Sequence, residues 1–349
     1  MITFLIFLFV IFSFFLIMYP HVKYHIKLYI TIGSILALTA GLRPAGIDFD
    51  YNSYLYAFKY GNIGNSRLEP SFYIISSTVK YFINEPLLLF LIYAVIGVYI
   101  KFKAFKKLSE LYFFSALIYF GNFFLLQEMT QIRVGVSIGI LLLSVIPLYE
   151  RNLKKFLVLV FFASFFHYSS IIFTFIWFLN PFKIKRRFYF LLILTSHFIA
   201  SIGVPIYTLI EKIPIPQIQV LFELYKHQRD HNVGGEVNIF SGLQILKIVI
   251  AMLVLIYSNK INQKNKYSIL ITKIYIISVI TLPLFSFFPA VSYRISELFG
   301  SVEIILIPFL IYIFPKYRIG ALIVCGIGAI MLYINLFYVG LLIENTKFL

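Results

Sequence analysis

Negative charge is scarce in this chain of 349 residues. It carries 14 acidic residues against 30 basic ones, and only three of the acids are aspartates. Charged residues of both signs make up 13% of the sequence, hydrophobic residues 61%, and the mean hydropathy is +0.92. A soluble domain of this size needs far more polar surface, so the composition describes an integral membrane protein. Alternating polar and apolar strands are also missing. The apolar runs are continuous, which excludes a β-barrel. A single cysteine, Cys325, lies within an apolar run; it allows no intramolecular disulfide and reads as packing. There is no phosphate-cradling glycine loop, dinucleotide fingerprint, zinc-protease helix or nucleophile elbow. His21 with His25, and His227 with His231, have the spacing of a metal pair but no third ligand.

What is present is a series of apolar runs, at about 2–19, 28–42, 86–100, 111–126, 132–149, 188–210, 244–258, 268–288, 298–314 and 319–343. The first has neither a basic lead-in nor a cleavage site and reads as a retained helix. The reading is an all-α polytopic membrane protein with roughly 10–12 transmembrane helices, a single integral membrane domain over 1–349. The net charge of +16 resides mostly in short loops, the positive-inside pattern and not a nucleic-acid-binding face. Lys101, Lys103, Lys106 and Lys107 mark one inward loop, Arg151, Lys154 and Lys155 a second, Lys183, Lys185, Arg186 and Arg187 a third. All fall on one side only if the segments 70–83 and 156–179 do not cross. The first is therefore read as interfacial or re-entrant. The second is read as two half-helices breaking near "FFHYSS".

That topology gathers the unusual polar residues on the outer face. They lie in a first outer loop at 43–85, at 127–131, at the break around His167, in a larger outer loop at 211–243 and at 289–297. The longer loop reads as an amphipathic helix followed by a Gly-Gly hinge. The stretch "GLRPAGIDFDYNSYLYAF" concentrates Arg43, Asp48 and Asp50 among tyrosines. Asp48 is a candidate general base, or the N-cap of a helix. Tyr51 and Tyr54 suit sugar stacking or interfacial anchoring. Arg67 and Glu69 follow. In "EMTQIRVGVSIGILL", Gln131 and Arg133 stand at the mouth of a helix whose Gly135 and Gly139 allow close packing. Arginine suits a diphosphate because its planar fork donates two parallel bonds. Arg294 reads either as a second clamp or as the i,i+3 partner of Glu297. His167, at a helix break facing water, is a proton-handling candidate.

Taken in order, "LRPAGIDFDYNSY", "EPSFYII", "QEMTQIRVGVSIGILLLS", "FFASFFHYSSIIF" and "VSYRISELFGSVEIILIP" resemble the EpsG-like branch of the Wzy O-antigen polymerases, over most of residues 40–312. Pro44 and Ala45 replace the Tyr-Gly usual in that family's early motif, Phe49 its later tyrosine, and Val134 a common glutamine. The resemblance implies a GT-C-like polymerase/ligase architecture in the bacterial inner membrane, with a site facing the periplasm. The implied substrate is an undecaprenyl-diphosphate-linked oligosaccharide, polymerised without cofactor or metal. A chain-length regulator protein and membrane lipid are the further partners it suggests. Arg43, Arg133 and Arg294 would then bind the departing diphosphate. Asp48 or His167 would take the proton of the attacking hydroxyl, with Glu69 a third candidate or an orienting group. Rival readings are an O-antigen ligase, a flippase of lipid-linked oligosaccharide, and a membrane O-acyltransferase.

Overall fold

The computed structural model describes residues 1–19, 25–61, 68–204, 208, 212, 216–230 and 235–342. All elements among them are helical, and they form two compact units, 1–177 with 307–349 and 178–306. The first unit opens with α1 (Ile2–Met18), α2 (Ile26–Gly41), α3 (Tyr51–Tyr60), α4 (Pro70–Phe82), α5 (Pro86–Leu108) and α6 (Tyr112–Phe123). A π-helical stretch, Phe124–Thr130, leads to α7 (Ile132–Tyr149) and α8 (Leu153–Phe166), followed by a 3₁₀ segment, Tyr168–Phe178. The second unit holds α9 (Arg186–Ser201), α10 (Pro216–Asp230), α11 (Gly242–Ile256), α12 (Ser258–Asn262), α13 (Ser268–Leu284) and α14 (Pro289–Gly300). The chain returns to the first unit through a 3₁₀ segment, Ile307–Ile313, and α15 (Tyr317–Tyr333).

Among the described residues, four helical stretches are long and apolar enough to cross a membrane: Pro86–Leu108, Ile132–Tyr149, Pro289–Ile313 and Tyr317–Tyr338. Several shorter apolar helices accompany them, including α1, α2, α11 and α13. Proline opens α4, α5 and α14, where its missing N–H costs no intrahelical bond. Lys106 and Lys107 close α5, where positive charge complements the carbonyl end of the helix.

The centre of the first unit is the packing of α5 against α7. Gly139 permits it: a Cβ there would lie 3.0 Å from the Ile100 side chain and 3.3 Å from that of Lys101. Gly135 instead admits the π-helical stretch, a Cβ there lying 2.6 Å from the Gln127 carbonyl oxygen, so both glycines of α7 serve close packing. The expected break at His167 is also present. Its backbone is extended (φ −154°, ψ 113°) between α8 and the 3₁₀ segment. The two arms form a hairpin whose ends meet. Arg151 Nη1 donates to the Trp177 carbonyl at 2.6 Å, and its guanidinium lies 4.9 Å from the Trp177 ring. Ser137 of α7 clips both arms, donating to Ala163 O at 3.0 Å and pairing with Ser170 Oγ. An arm of fourteen residues, α8, reaches ~21 Å, short of a ~30 Å hydrocarbon core.

Three expectations need correction. Lys101 is not in a loop: α5 continues to Leu108, and Lys101 is fully buried within it. Residues 127–131 are not an exposed loop either, because Gln127, Glu128, Met129 and Thr130 are buried in the π-helical stretch. Residues 289–297 are helical and run on into the span that was placed at 298–314. In the first two cases partners outside the segment bury the polar groups, whereas Arg294 in the third stays exposed.

In the second unit, α13 packs on α14 through serines, with Ser278 and Ser296 hydroxyls 3.3 Å apart. Lys273 lies buried in α13 and donates to the carbonyls of Asn180 and Lys183. Gln244 of α11 donates to Val279 O at 2.9 Å and to His197 Nε2 at 3.2 Å. Helix α10 occupies the larger loop as expected, and Gly235 beyond it has the positive φ (68°) of a hinge.

Candidate active site

Glu69 is the hub of the strongest polar cluster. It immediately precedes Pro70, which fixes the start of α4 and leaves the Glu69 backbone extended. One carboxylate oxygen, Oε1, lies 3.0 Å from His167 Nδ1 at the hairpin tip. The other, Oε2, is ion-paired with Arg133 Nη1 at the mouth of α7. Arg133 also sits over Tyr54 of α3, its Nε 3.5 Å from the phenol oxygen. Two elements far apart in sequence, α7 and the hairpin tip, therefore converge on the carboxylate at the start of α4, with α3 beside the arginine. Ser71 bonds to Tyr93 Oη at 3.3 Å, and Tyr93 lies two turns inside α5, ~10 Å from its start. The cluster is thus sunk below the end of α5 yet not sealed. The side chains of Arg133 and His167 keep 18% and 20% of their accessibility.

A second pair stands beside it. Arg43 Nε donates to Asp48 Oδ2 at 2.8 Å, its Nη1 donates to Ala40 O at 3.0 Å, and the guanidinium lies 4.3 Å from the Phe90 ring. Both side chains of this pair are fully enclosed. Among the described residues Arg43 Nη2 has no hydrogen-bond partner. Asp48 Oδ1 accepts the Asp50 N–H at 3.1 Å, which folds the loop into α3. The N-cap position of α3 belongs to Asp50, not to Asp48. Asp50 is half-buried, and its carboxyl is pushed above the usual range, first by burial and then by Asp48, against the pull of Arg133 and Arg43. Burial likewise holds the Tyr54 phenol above its ordinary value, although Arg133 opposes the shift, so Tyr54 is neutral beside that arginine.

The other sequence candidates fall as follows. Tyr51 and Tyr54 are buried, Tyr51 being stacked on Phe90 at 4.7 Å, so their rings face the protein. Gln131 is half-buried at the N-cap position of α7. Arg294 is exposed on α14, in the second unit. Arg67, His21 and His231 lie outside the described residues. Among the described residues no group of three or more His, Cys, Asp or Glu side chains could hold a metal ion.

Sequence reasoning missed the ion pair beneath the site. Lys101 Nζ bonds to Glu128 Oε1 and, at 2.7 Å, to Gly135 O, two residues into α7 from Arg133. Both charged side chains are wholly buried, and so is the neighbouring Gln127. Gly97 makes room, since a Cβ there would lie 2.4 Å from Glu128 Oε2. The only sequence signal was the polar run "QEMTQ" between two apolar runs, which equally describes a loop.

Neither the curated proteins nor the solved structures yield a match to this chain. The model of the EpsG family, by contrast, matches residues 26–348, which takes in the Glu69 cluster, the hairpin and both units. Since the match covers nearly the whole sequence, the chain belongs to the EpsG family.

Proposed function

We propose that this protein is a membrane glycosyltransferase of the Wzy type. It would join undecaprenyl-diphosphate-linked oligosaccharide repeats at the periplasmic face. Membership of a family linked to exopolysaccharide biosynthesis supports the reading. The observation that carries it is the single carboxylate, Glu69, holding both an arginine and a histidine whose side chains stay partly accessible.

The chemistry assigns separate roles. With Nδ1–H donated to Glu69, the His167 imidazole carries its lone pair on Nε2, the tautomer a general base needs. Nε2 takes the proton of the acceptor hydroxyl as its oxygen attacks the anomeric carbon. The bond from that carbon to the diphosphate oxygen breaks, and the diphosphate leaves with the electron pair. The configuration inverts. Arg133 neutralises charge that grows on the leaving oxygen, so its contribution is greater in the transition state than in the ground state. Glu69 is a positioning residue for both. Asp48, enclosed with Arg43, positions the loop that presents Asp50 and Tyr54. Arg43 holds Asp48 in place in that loop. The energy of transfer resides in the sugar–diphosphate bond, so no nucleotide is required.

The test is a glycan ladder from cells lacking the gene, complemented with wild type or Arg133→Ala. A polymerase predicts that the deletion leaves single repeats and abolishes only the ladder, which wild type restores and Arg133→Ala does not. Loss of the single repeat as well would instead mark a ligase or a flippase. An unchanged ladder would sink the proposal.

A further inference from the structure

Outside the site, a groove of about 650 Å³ opens between α2 and α5 in the first unit. Its walls are apolar: Ile30, Ala37 and Leu38 on one side, Val95, Val98 and Phe102 on the other. Gly33 sets its floor, because a Cβ there would lie 3.1 Å from the Phe102 ring. One end is different. Lys103 and Lys106 line it, and no acidic residue lines any part of the groove. Neither lysine has a salt bridge among the described residues, although Lys103 lies 5.9 Å from the Tyr99 ring. His25 and Lys27, exposed at the start of α2, add basic character to the same end.

We propose that this groove is a binding site for an anionic phospholipid of the cytoplasmic leaflet, one acyl chain between α2 and α5 and its phosphate on Lys103 and Lys106. Two observations fix the occupant. From Val95 to Lys106 the groove runs ~16 Å along α5, about one leaflet of a ~30 Å hydrocarbon core. That is the depth of a phospholipid tail and not of a long polyprenol. Secondly, the lysines lie at the end of α5 remote from the Glu69 cluster, so a polyprenyl carrier with its diphosphate at the cluster would leave them without an anion. Lysines at the inner face attract anionic headgroups, whose density there is highest. The exclusion of the polyprenyl carrier rests on the glycosyltransfer reading, whereas the length and basic end of the groove do not.

The experiment uses the full chain in detergent, exposed to phosphatidylglycerol or phosphatidylcholine of identical acyl chains, with bound lipid counted by native mass spectrometry. Phosphatidylglycerol is expected to remain bound preferentially. The Lys103→Gln/Lys106→Gln double variant should lower that preference by roughly tenfold or more. Ser34→Phe, which fills the groove from an exposed wall position, should expel both lipids while the elution profile of the protein is unchanged. Equal retention of the two lipids in wild type, or indifference to both variants, would overturn the proposal. Displacement of phosphatidylglycerol by a polyprenyl phosphate, equally sensitive to the lysines, would overturn it in favour of the substrate's tail.

Discussion

The first unit buries charge at the Glu69 cluster, in the Arg43–Asp48 pair and in the Lys101–Glu128 pair, and the first and last of these are built differently. Around Glu69, the arginine and the histidine reach one carboxylate from separate elements, and each keeps about a fifth of its side chain accessible. Lys101 and Glu128 lie deeper, between α5 and the π-helical stretch, with no accessible surface at all. A sealed pair can only hold helices together, whereas an accessible one can exchange a protein partner for a substrate. Burial of both charges with mutual compensation marks the Lys101 pair as structural. Partial accessibility of Arg133 and His167 is what the proposed chemistry requires of the Glu69 cluster.

Substitutions can break this contrast. The largest effect is expected at His167: His167→Ala should slow polymerisation by about 10²–10⁴-fold, the range of a lost general base, while thermal unfolding of the purified protein hardly changes. An equal loss of thermal stability would show His167 to be a hinge of the hairpin. Lys101→Ala should do the reverse. It leaves Glu128 charged and unpaired, a loss of about 3–5 kcal/mol that a thermal melt would register. The paired replacement Lys101→Met with Glu128→Leu should recover most of that stability, and if it does not, the pair has a role beyond packing. Glu69→Gln keeps an acceptor for the imidazole but removes the charge facing Arg133. An effect on kcat of roughly 10–100-fold is expected, with KM moving less. Steady-state rates with a lipid-linked acceptor would separate the two.

The smallest effect concerns Asp50, whose folded carboxyl is held above its ordinary value chiefly by burial. Its ionised form is therefore penalised in the folded protein. Stability falls as pH rises from the unfolded value through the raised folded value, and stays lower above it. Asp50→Asn should then raise the melting temperature near neutrality, and the gain should vanish below the unfolded carboxylate pKa. A gain independent of pH would mean that Asp50 is not held ionised against a penalty.

Much of the architecture was legible in the sequence. The apolar runs gave the class, and the basic loops required that 156–179 turn back, which the Arg151–Trp177 closure accounts for structurally. Arg133 at the mouth of α7 was readable because a glycine-rich apolar helix follows it. What was not legible depended on partners distant in the chain. Asp48 drew attention as one of only three aspartates, yet Arg43, five residues earlier, encloses it, and this takes a loop geometry that composition does not carry. Glu69 looked secondary because its two partners arrive from α7 and the hairpin tip. Lys101 belonged by appearance to the lysine run through Lys107, but its partner, Glu128, lies on a different element, and π-helical backbone has no residue signature that would have announced it.

The hairpin also bears on how the chain is made. Insertion machinery reads hydropathy one segment at a time, and residues 153–178 are apolar enough, once past Lys154 and Lys155, to be read as a crossing. Their return to the starting side depends on Ser137 of the preceding helix and on Arg151 meeting Trp177, contacts that exist only after α7 is in place and the second arm has been synthesised. Sidedness in this protein is therefore a tertiary property, and a chain truncated within the hairpin would lack the contacts that establish which side its end belongs to.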